Sequence, residues 1–128
     1  MAFSSFLKSI FGGAEESVAL GNMPENVGKV RNENLSGSAF KKQLQESPNA
    51  ILLDVRTTGE FSNGSIPGAL NVDFLSPGFA KTVGQLDQDV TYFLFCRSGN
   101  RSGQACKTMH RMGFDVRNLS GGMGAYPF

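Results

Sequence analysis

Tyr92-Phe93-Leu94-Phe95-Cys96-Arg97-Ser98-Gly99-Asn100-Arg101-Ser102 passes from an apolar run straight into a polar, glycine-containing loop. The first four residues have the length and aromatic content of a buried strand, so the loop starts where a strand ends. Ser102 can cap a helix that carries Ala105, Met109 and Met112 on one face and stops at Gly113. A cysteine leaving a strand, followed by five residues and a helix N-terminus, is an arrangement in which successive backbone N–H groups converge on an anionic sulfur. No proline interrupts residues 97–102, so every amide there can donate. Gly99 can take a positive φ without steric cost, and Arg97 and Arg101 add two permanent positive charges.

An unperturbed thiol has a pKa of about 8.5, and helix N-termini or nearby arginines bring it to roughly 3.5–7.5. A fall of about two units favours the charged form by roughly 2.7 kcal/mol, enough to make the thiolate dominant at neutral pH. Cys96 is therefore the candidate nucleophile or sulfur carrier, with Arg97, Ser98, Gly99, Asn100 and Arg101 as the anion-holding residues. The reading requires the thiol to face solvent and the surrounding peptide hydrogens to turn toward it.

What the chain lacks narrows the chemistry. Its one histidine, His110, falls eight residues along the helix from Ser102, about 12 Å of rise from the loop. A Cys/His dyad of the protease type needs base and thiol within hydrogen-bond reach, so His110 reads instead as a residue of the helix's last turn. Cys106 lies ten residues after Cys96 without C-x-x-C spacing, which suggests neither a redox pair nor a zinc site. Its expected role is packing of helix on sheet, with a resolving thiol as the alternative. No metal or cofactor is expected. The chain of 128 residues has 40% hydrophobic content with eleven Phe, enough for one core, and a net charge of +1 without Trp or a basic stripe, which argues against nucleic acid. Two cysteines make no disulfide framework, and a reactive thiolate suits a reducing compartment, so the cytoplasm is the expected location.

The remainder alternates strands and helices. Lys29 to Glu33 is a weak strand, Ser36 or Ser38 caps a helix bearing Phe40 and Leu44 that closes near Glu46, and Ala50 to Val55 is a short, continuously apolar strand. Thr58 to Phe61 reads as a helical turn, Ala69 to Val72 as a strand, Phe79 to Leu86 as an irregular helix and Phe114 to Leu119 as the last strand. This alternation predicts an α/β fold, an open parallel sheet of about five strands with helices on both faces. In such folds the binding crevice lies beyond the carboxyl ends of the strands, where Asp54, Arg56 and Cys96 fall. Asp54 and Arg56, two apart, point to one side and are expected to buttress the loop or pair with Glu60.

These residues resemble the rhodanese domain, a sulfurtransferase module in which a loop cysteine carries a persulfide. Leu52-Leu53-Asp54-Val55-Arg56, then Glu60-Phe61, then Gly64-Ser65-Ile66-Pro67-Gly68-Ala69-Leu70-Asn71, is similar to the family's first signature, with Ser65 where histidine is usual. Leu119-Ser120-Gly121-Gly122-Met123-Gly124-Ala125-Tyr126 is similar to its closing element, with Tyr126 where tryptophan is common. The resemblance spans residues 28–128. It implies a two-step shuttle: Cys96 takes sulfur from a small anionic donor such as thiosulfate and passes it to cyanide or to a thiol, of a small molecule or a protein. Two rivals stand beside it. A cysteine-dependent phosphatase or arsenate reductase needs arginine six positions after the cysteine, where this chain has Ser102, with arginine one step early at Arg101. A sulfur carrier or protein-binding module without turnover is the other.

Residues 1–27 read separately. Phe3, Phe6, Leu7, Ile10 and Phe11 follow helical spacing until Gly12-Gly13, a short amphipathic helix, and residues 14–27 read as linker. The helix is well below the roughly 20 residues that span a bilayer, and Lys8 interrupts what would be a signal-peptide core. Its apolar face is expected to pack on its own domain, with docking to a partner chain or membrane surface as the alternative.

Overall fold

A computed structural model describes residues 30–128; the amphipathic helix and linker expected over residues 1–27 lie outside them. In chain order the elements are β1 (Asn32–Leu35), α1 (Gly37–Glu46), β2 (Ile51–Asp54), α2 (Thr58–Ser62), β3 (Leu70–Asn71), α3 (Phe79–Val83), β4 (Thr91–Phe95), α4 (Asn100–Arg111) and β5 (Asp115–Leu119), followed by a 3₁₀ turn at Met123–Ala125. The strands form one sheet in the order β1-β5-β4-β2-β3, with every neighbouring pair parallel. Among the described residues no helix is long and apolar enough to cross a membrane.

Strand periodicity splits the apolar residues between two cores. Leu53, Val55, Tyr92, Leu94, Cys96 and Val116 point to one face, where Phe79 and Val83 of α3 and Ala105, Cys106 and Met109 of α4 cover them. Leu52, Phe93, Phe95 and Leu119 point to the other, against Phe40 of α1 and Ile66. The continuous apolar character of β2 and β4 follows from this burial on both sides. Ser36 caps α1 by accepting from the Ala39 amide at 3.2 Å. Phe40 meets Phe93 edge-on at 5.3 Å and Tyr126 at 6.3 Å. Tyr126, one of the two departures from the family pattern, thereby retains an aromatic packing role.

Two elements differ from expectation. The first strand lies at Asn32–Leu35 rather than Lys29–Glu33, because pairing decides it: Asn32 to Leu35 register with Val116 to Leu119, and Asp115 Oδ1 accepts from the Arg31 amide at 2.8 Å. An edge strand of sequence Asn-Glu-Asn-Leu has no apolar alternation to announce it. The final helix starts at Asn100 with Gly99 at its N-cap, so Ser102 is not the cap. Gly99, at φ +97°, turns the chain into the helix, and the Ser102 side chain is buried and engaged elsewhere.

Candidate functional site

The carboxyl ends of β2 and β4 lie side by side, Asp54 in register with Phe95, and set Cys96 one residue beyond the sheet. From there residues 97–99 cross to α4. The loop is held down from outside by the chain after β5. Gly122 lies so close to it that a Cβ would stand 2.1 Å from the Arg97 carbonyl oxygen, and a Cβ on Gly99 would stand 2.2 Å from that of Ser120. The Met123 amide donates to the Cys96 carbonyl at 2.9 Å. The loop and the closing glycine segment are thus one packed unit.

Peptide hydrogens do converge on the sulfur. The Gly99 N–H reaches Cys96 Sγ at 3.1 Å and the Ser102 N–H at 3.4 Å, with the Ser102 hydroxyl also at 3.4 Å. Ser102 is the third residue of α4, so its amide is one of the helix's free N-terminal donors. Burial pushes the Cys96 thiol up; hydrogen bonding from Ser102 and from the amides of Gly99 and Ser98 outweighs it, and the thiol lies below its ordinary value. The sulfur's donors are therefore Ser98, Gly99 and Ser102, one residue beyond the span 97–101 expected to supply them.

The expectation of a solvent-facing thiol is not met: Cys96 is 0% exposed. It belongs to the core under α4, beside Leu94, Ala105 and Cys106, and its loop is drawn down by the glycine contacts. Cys106 is also fully buried, and burial pushes its thiol up to about 12. It packs helix on sheet, as expected. The two cysteines are free. His110 lies in the last turn of α4.

The arginines divide. Arg101 is clamped by Glu60, Nη1 to Oε1 at 2.8 Å and Nη2 to Oε2 at 3.2 Å. Glu60 also closes a capping box on α2, exchanging hydrogen bonds with Thr57. The Arg101 hydrogen bond, foremost, and those from Thr57 hold the Glu60 carboxyl down at about 2. Arg97 is exposed and makes no ion pair among the described residues. It lines a cleft of 510 Å³ with Arg56, Glu60, Asn63, Gly64, Ser65, Met123 and Phe128. Ser98 and Asn100 are exposed and locally engaged: Ser98 Oγ accepts from the Asn100 amide at 3.4 Å, and Asn100 Oδ1 accepts from Gln104 at 3.0 Å.

Asp54 and Arg56 pair with each other rather than with Glu60. Arg56 Nη2 lies 2.6 Å from Asp54 Oδ2, and Nε 2.9 Å from Oδ1. The same Nη2 donates to the Gly64 carbonyl at 2.7 Å, and Ser65 Oγ donates to Asp54 Oδ2 at 2.8 Å. This buried pair fixes the Gly64–Ser65 turn, and Ser65, the other departure from the family pattern, supplies a hydroxyl donor to it.

Two participants escaped the sequence reading. Ser102 stood there as a helix cap, and Asn118 as an unremarked member of the last strand. Asn118 is 3% exposed and bonds to Ser102, Asn34 and Gly99. Its signal was present: asparagine is disfavoured in strands, and one at a buried strand position needs partners.

Comparison with known proteins agrees with this architecture. The sequence profile of the Rhodanese-like domain matches residues 38–126. The chain is 34% identical over 92 residues to the putative sulfurtransferase YtwF of Bacillus subtilis, covering 72% of this chain and 87% of that one. It is 33% identical over 85 residues to the thiosulfate sulfurtransferase GlpE of Shewanella oneidensis, covering 66% and 82%. The crystal structure of a rhodanese-like domain protein from Staphylococcus aureus superposes with a TM-score of 0.65 at 26% identity, covering 73% of this chain and 90% of that one. Sheet order, loop and sequence together place this chain in the rhodanese-like domain family.

Proposed function

We propose that this protein moves a sulfane sulfur from an anionic donor such as thiosulfate to cyanide or a thiol, through a persulfide on Cys96. The relatives named sulfurtransferases support sulfur transfer in general. The observation that carries the finer reading is the set of hydrogens aimed at Cys96 Sγ from Gly99 and Ser102. In the first step the Cys96 thiolate attacks the outer sulfur of thiosulfate; its S–S bond breaks and sulfite leaves with the bonding pair. Cys96 then holds one extra sulfur, whose anionic charge faces amide donors at the helix head. In the second step cyanide or a thiolate attacks that outer sulfur, giving thiocyanate or a new persulfide, and the Cys96 thiolate is restored. Both donor and persulfide are already anionic, so neither half-reaction calls on a general base. Arg97 is the cation open to a donor, whereas Arg101 shapes the loop through Glu60. The proposal places the protein in the cytoplasm, where a lone reactive thiol stays reduced.

The test is incubation with thiosulfate and cyanide. Thiocyanate should form and Cys96→Ser should abolish it; aryl-phosphate hydrolysis without thiocyanate would favour phosphatase chemistry instead. One observation favours a second reading, a sulfur carrier served by another protein: the fully buried Cys96 needs its cover displaced before a donor reaches it. Uptake of one sulfur atom by intact mass, with negligible turnover of small donors, would decide for the carrier.

A further inference from the structure

Ser102 has one hydroxyl hydrogen, and two acceptors compete for it. Asn118 Oδ1 stands 2.6 Å from Ser102 Oγ; Cys96 Sγ stands 3.4 Å away. The orientation of the Asn118 amide decides the contest. Its other arm lies 3.3 Å from the backbone oxygen of Gly99, which can only accept, so that arm is Nδ2. The same Nδ2 donates to Asn34 Oδ1 at 2.8 Å. Asn118 must therefore present Oδ1 to Ser102, and the hydroxyl hydrogen lies on that short line. The lone pairs of Ser102 Oγ are left facing the sulfur. A protonated thiol can donate to them. An anionic sulfur cannot, and it gains the hydroxyl hydrogen only by taking it from Asn118 Oδ1, an acceptor on a side chain that is 3% exposed.

We propose that Asn118 is a positioning residue for Cys96: by claiming the Ser102 hydroxyl hydrogen it withholds one donor from the anionic sulfur and so sets the pH at which the thiol ionises. Asn34, on the exposed edge strand, steadies the amide that does this. The arrangement has a chemical consequence for the sulfur cycle. In a persulfide the charge sits on the outer sulfur and Sγ is neutral, so Sγ no longer competes for the hydrogen. Asn118 thus disfavours the unloaded thiolate without disfavouring the loaded state. Arg101 and Cys106, both on α4, are the charged and titratable groups that act on this sulfur. Neither changes charge between about pH 5 and 9.

The functional meaning rests on Cys96 as the reactive thiol, but the hydrogen-bond contest does not depend on turnover. The experiment follows thiolate absorbance in the ultraviolet against pH, in the full chain, for Asn118→Leu, Ser102→Ala and the double variant. Cys106, at about 12, stays silent in that range. Asn118→Leu should lower the Cys96 midpoint by about one unit, and should leave it unmoved when Ser102 is already alanine. Asn118 also holds the Gly99 carbonyl, and a merely structural role there would loosen the Gly99 N–H and raise the midpoint in both backgrounds. A rise, no shift, or an equal shift in both backgrounds overturns the proposal. Should Asn118→Leu not fold, Asn34→Ala at the exposed edge takes its place: a smaller fall of the same sign supports the proposal and an unchanged midpoint refutes it. Absence of thiocyanate formation would sink the sulfur-transfer reading and leave these titrations intact.

Discussion

Gly122→Ala tests whether the glycine segment after β5 builds the cradle. Gly122 sits at φ +77° and ψ −176°, a region essentially reserved to glycine and costing another residue about 1–3 kcal/mol. Its added Cβ would lie 2.1 Å from the Arg97 carbonyl oxygen and 2.6 Å from Ser98 Cα. Both neighbours are backbone, so no rotamer relieves the overlap; the loop must retreat, at the roughly 1–3 kcal/mol typical of overpacking. Together these predict a loss of about 4 kcal/mol against a total stability of roughly 5–15. In a domain of this size that lowers the melting temperature by roughly 15 °C. The retreat also carries Gly99 away from Cys96 Sγ, now 3.1 Å from its amide, so the thiol should drift back toward its ordinary value. Gly59→Ala is the control, because nothing lies within 4 Å of its Cβ and it sits inside α2. That change should be neutral or add up to about 1 kcal/mol. Circular dichroism melts and the pH dependence of Cys96 alkylation, mapped by mass spectrometry, read both effects. A Gly122→Ala protein melting within about 2 °C of its parent, with an unmoved thiol midpoint, would refute the reasoning.

Cys106→Ala should keep thiocyanate formation and cost about 1 kcal/mol in urea unfolding, since Cys106 fills core space; loss of turnover in a folded variant would make it a resolving thiol instead. Arg56→Ala leaves Asp54 buried and uncompensated and should cost about 3–5 kcal/mol, whereas pairing it with Asp54→Asn should recover part of that loss; equal losses would mean the charges are not coupled. Glu60 has a depressed carboxyl, so its clamp on Arg101 contributes stability that is complete above the ordinary carboxylate pKa and disappears as pH falls toward about 2. The stability difference between the parent and Glu60→Gln should therefore be constant above about pH 5 and shrink below it, measured by urea unfolding across a pH series; a difference that persists at pH 2 would contradict the ion pair as its source.

Legibility in the sequence followed the range of the interaction. Strand β4 and the helix after it were readable because Tyr92 to Phe95 are apolar without interruption and Gly99 and Gly113 punctuate the chain nearby. The cysteine loop was readable for the same reason, since its donors are local. The first strand was misplaced because its residues lack a pattern and gain one only from β5, 84 residues away at the Arg31–Asp115 contact. The partner of Arg101 was equally hidden: Glu60 is 41 residues distant and was expected beside Asp54 and Arg56 instead. Asn118 showed its oddity but not its partners, because a buried polar residue announces a need without naming what meets it. Burial of Cys96 was missed because it depends on packing with Ala105 and Cys106 of α4, which the polar look of the loop does not reveal.

Positive charge around the sulfur is thinner than two arginines in one loop suggest, and this bears on how an anion arrives. The Arg101 guanidinium is bound by Glu60 and that of Arg56 by Asp54, so each charge is matched within a few ångströms. Arg97 is left, exposed at the cleft. In the proposed cycle, holding an anionic sulfur therefore falls to peptide dipoles from Ser98, Gly99 and Ser102. A free charge steers ligands across a Debye length of about 8 Å, whereas a peptide hydrogen acts over the length of a hydrogen bond. A site made mainly of dipoles retains a charge already delivered better than it gathers one from solution. The buried sulfur bears on the proposed transfer as well, since the loop must open before any donor reaches Cys96. In the proposed reaction the paired arginines and the closed thiol thus predict slow loading from free thiosulfate, changed little by ionic strength, because the charges bound by Glu60 and Asp54 do not steer the anion.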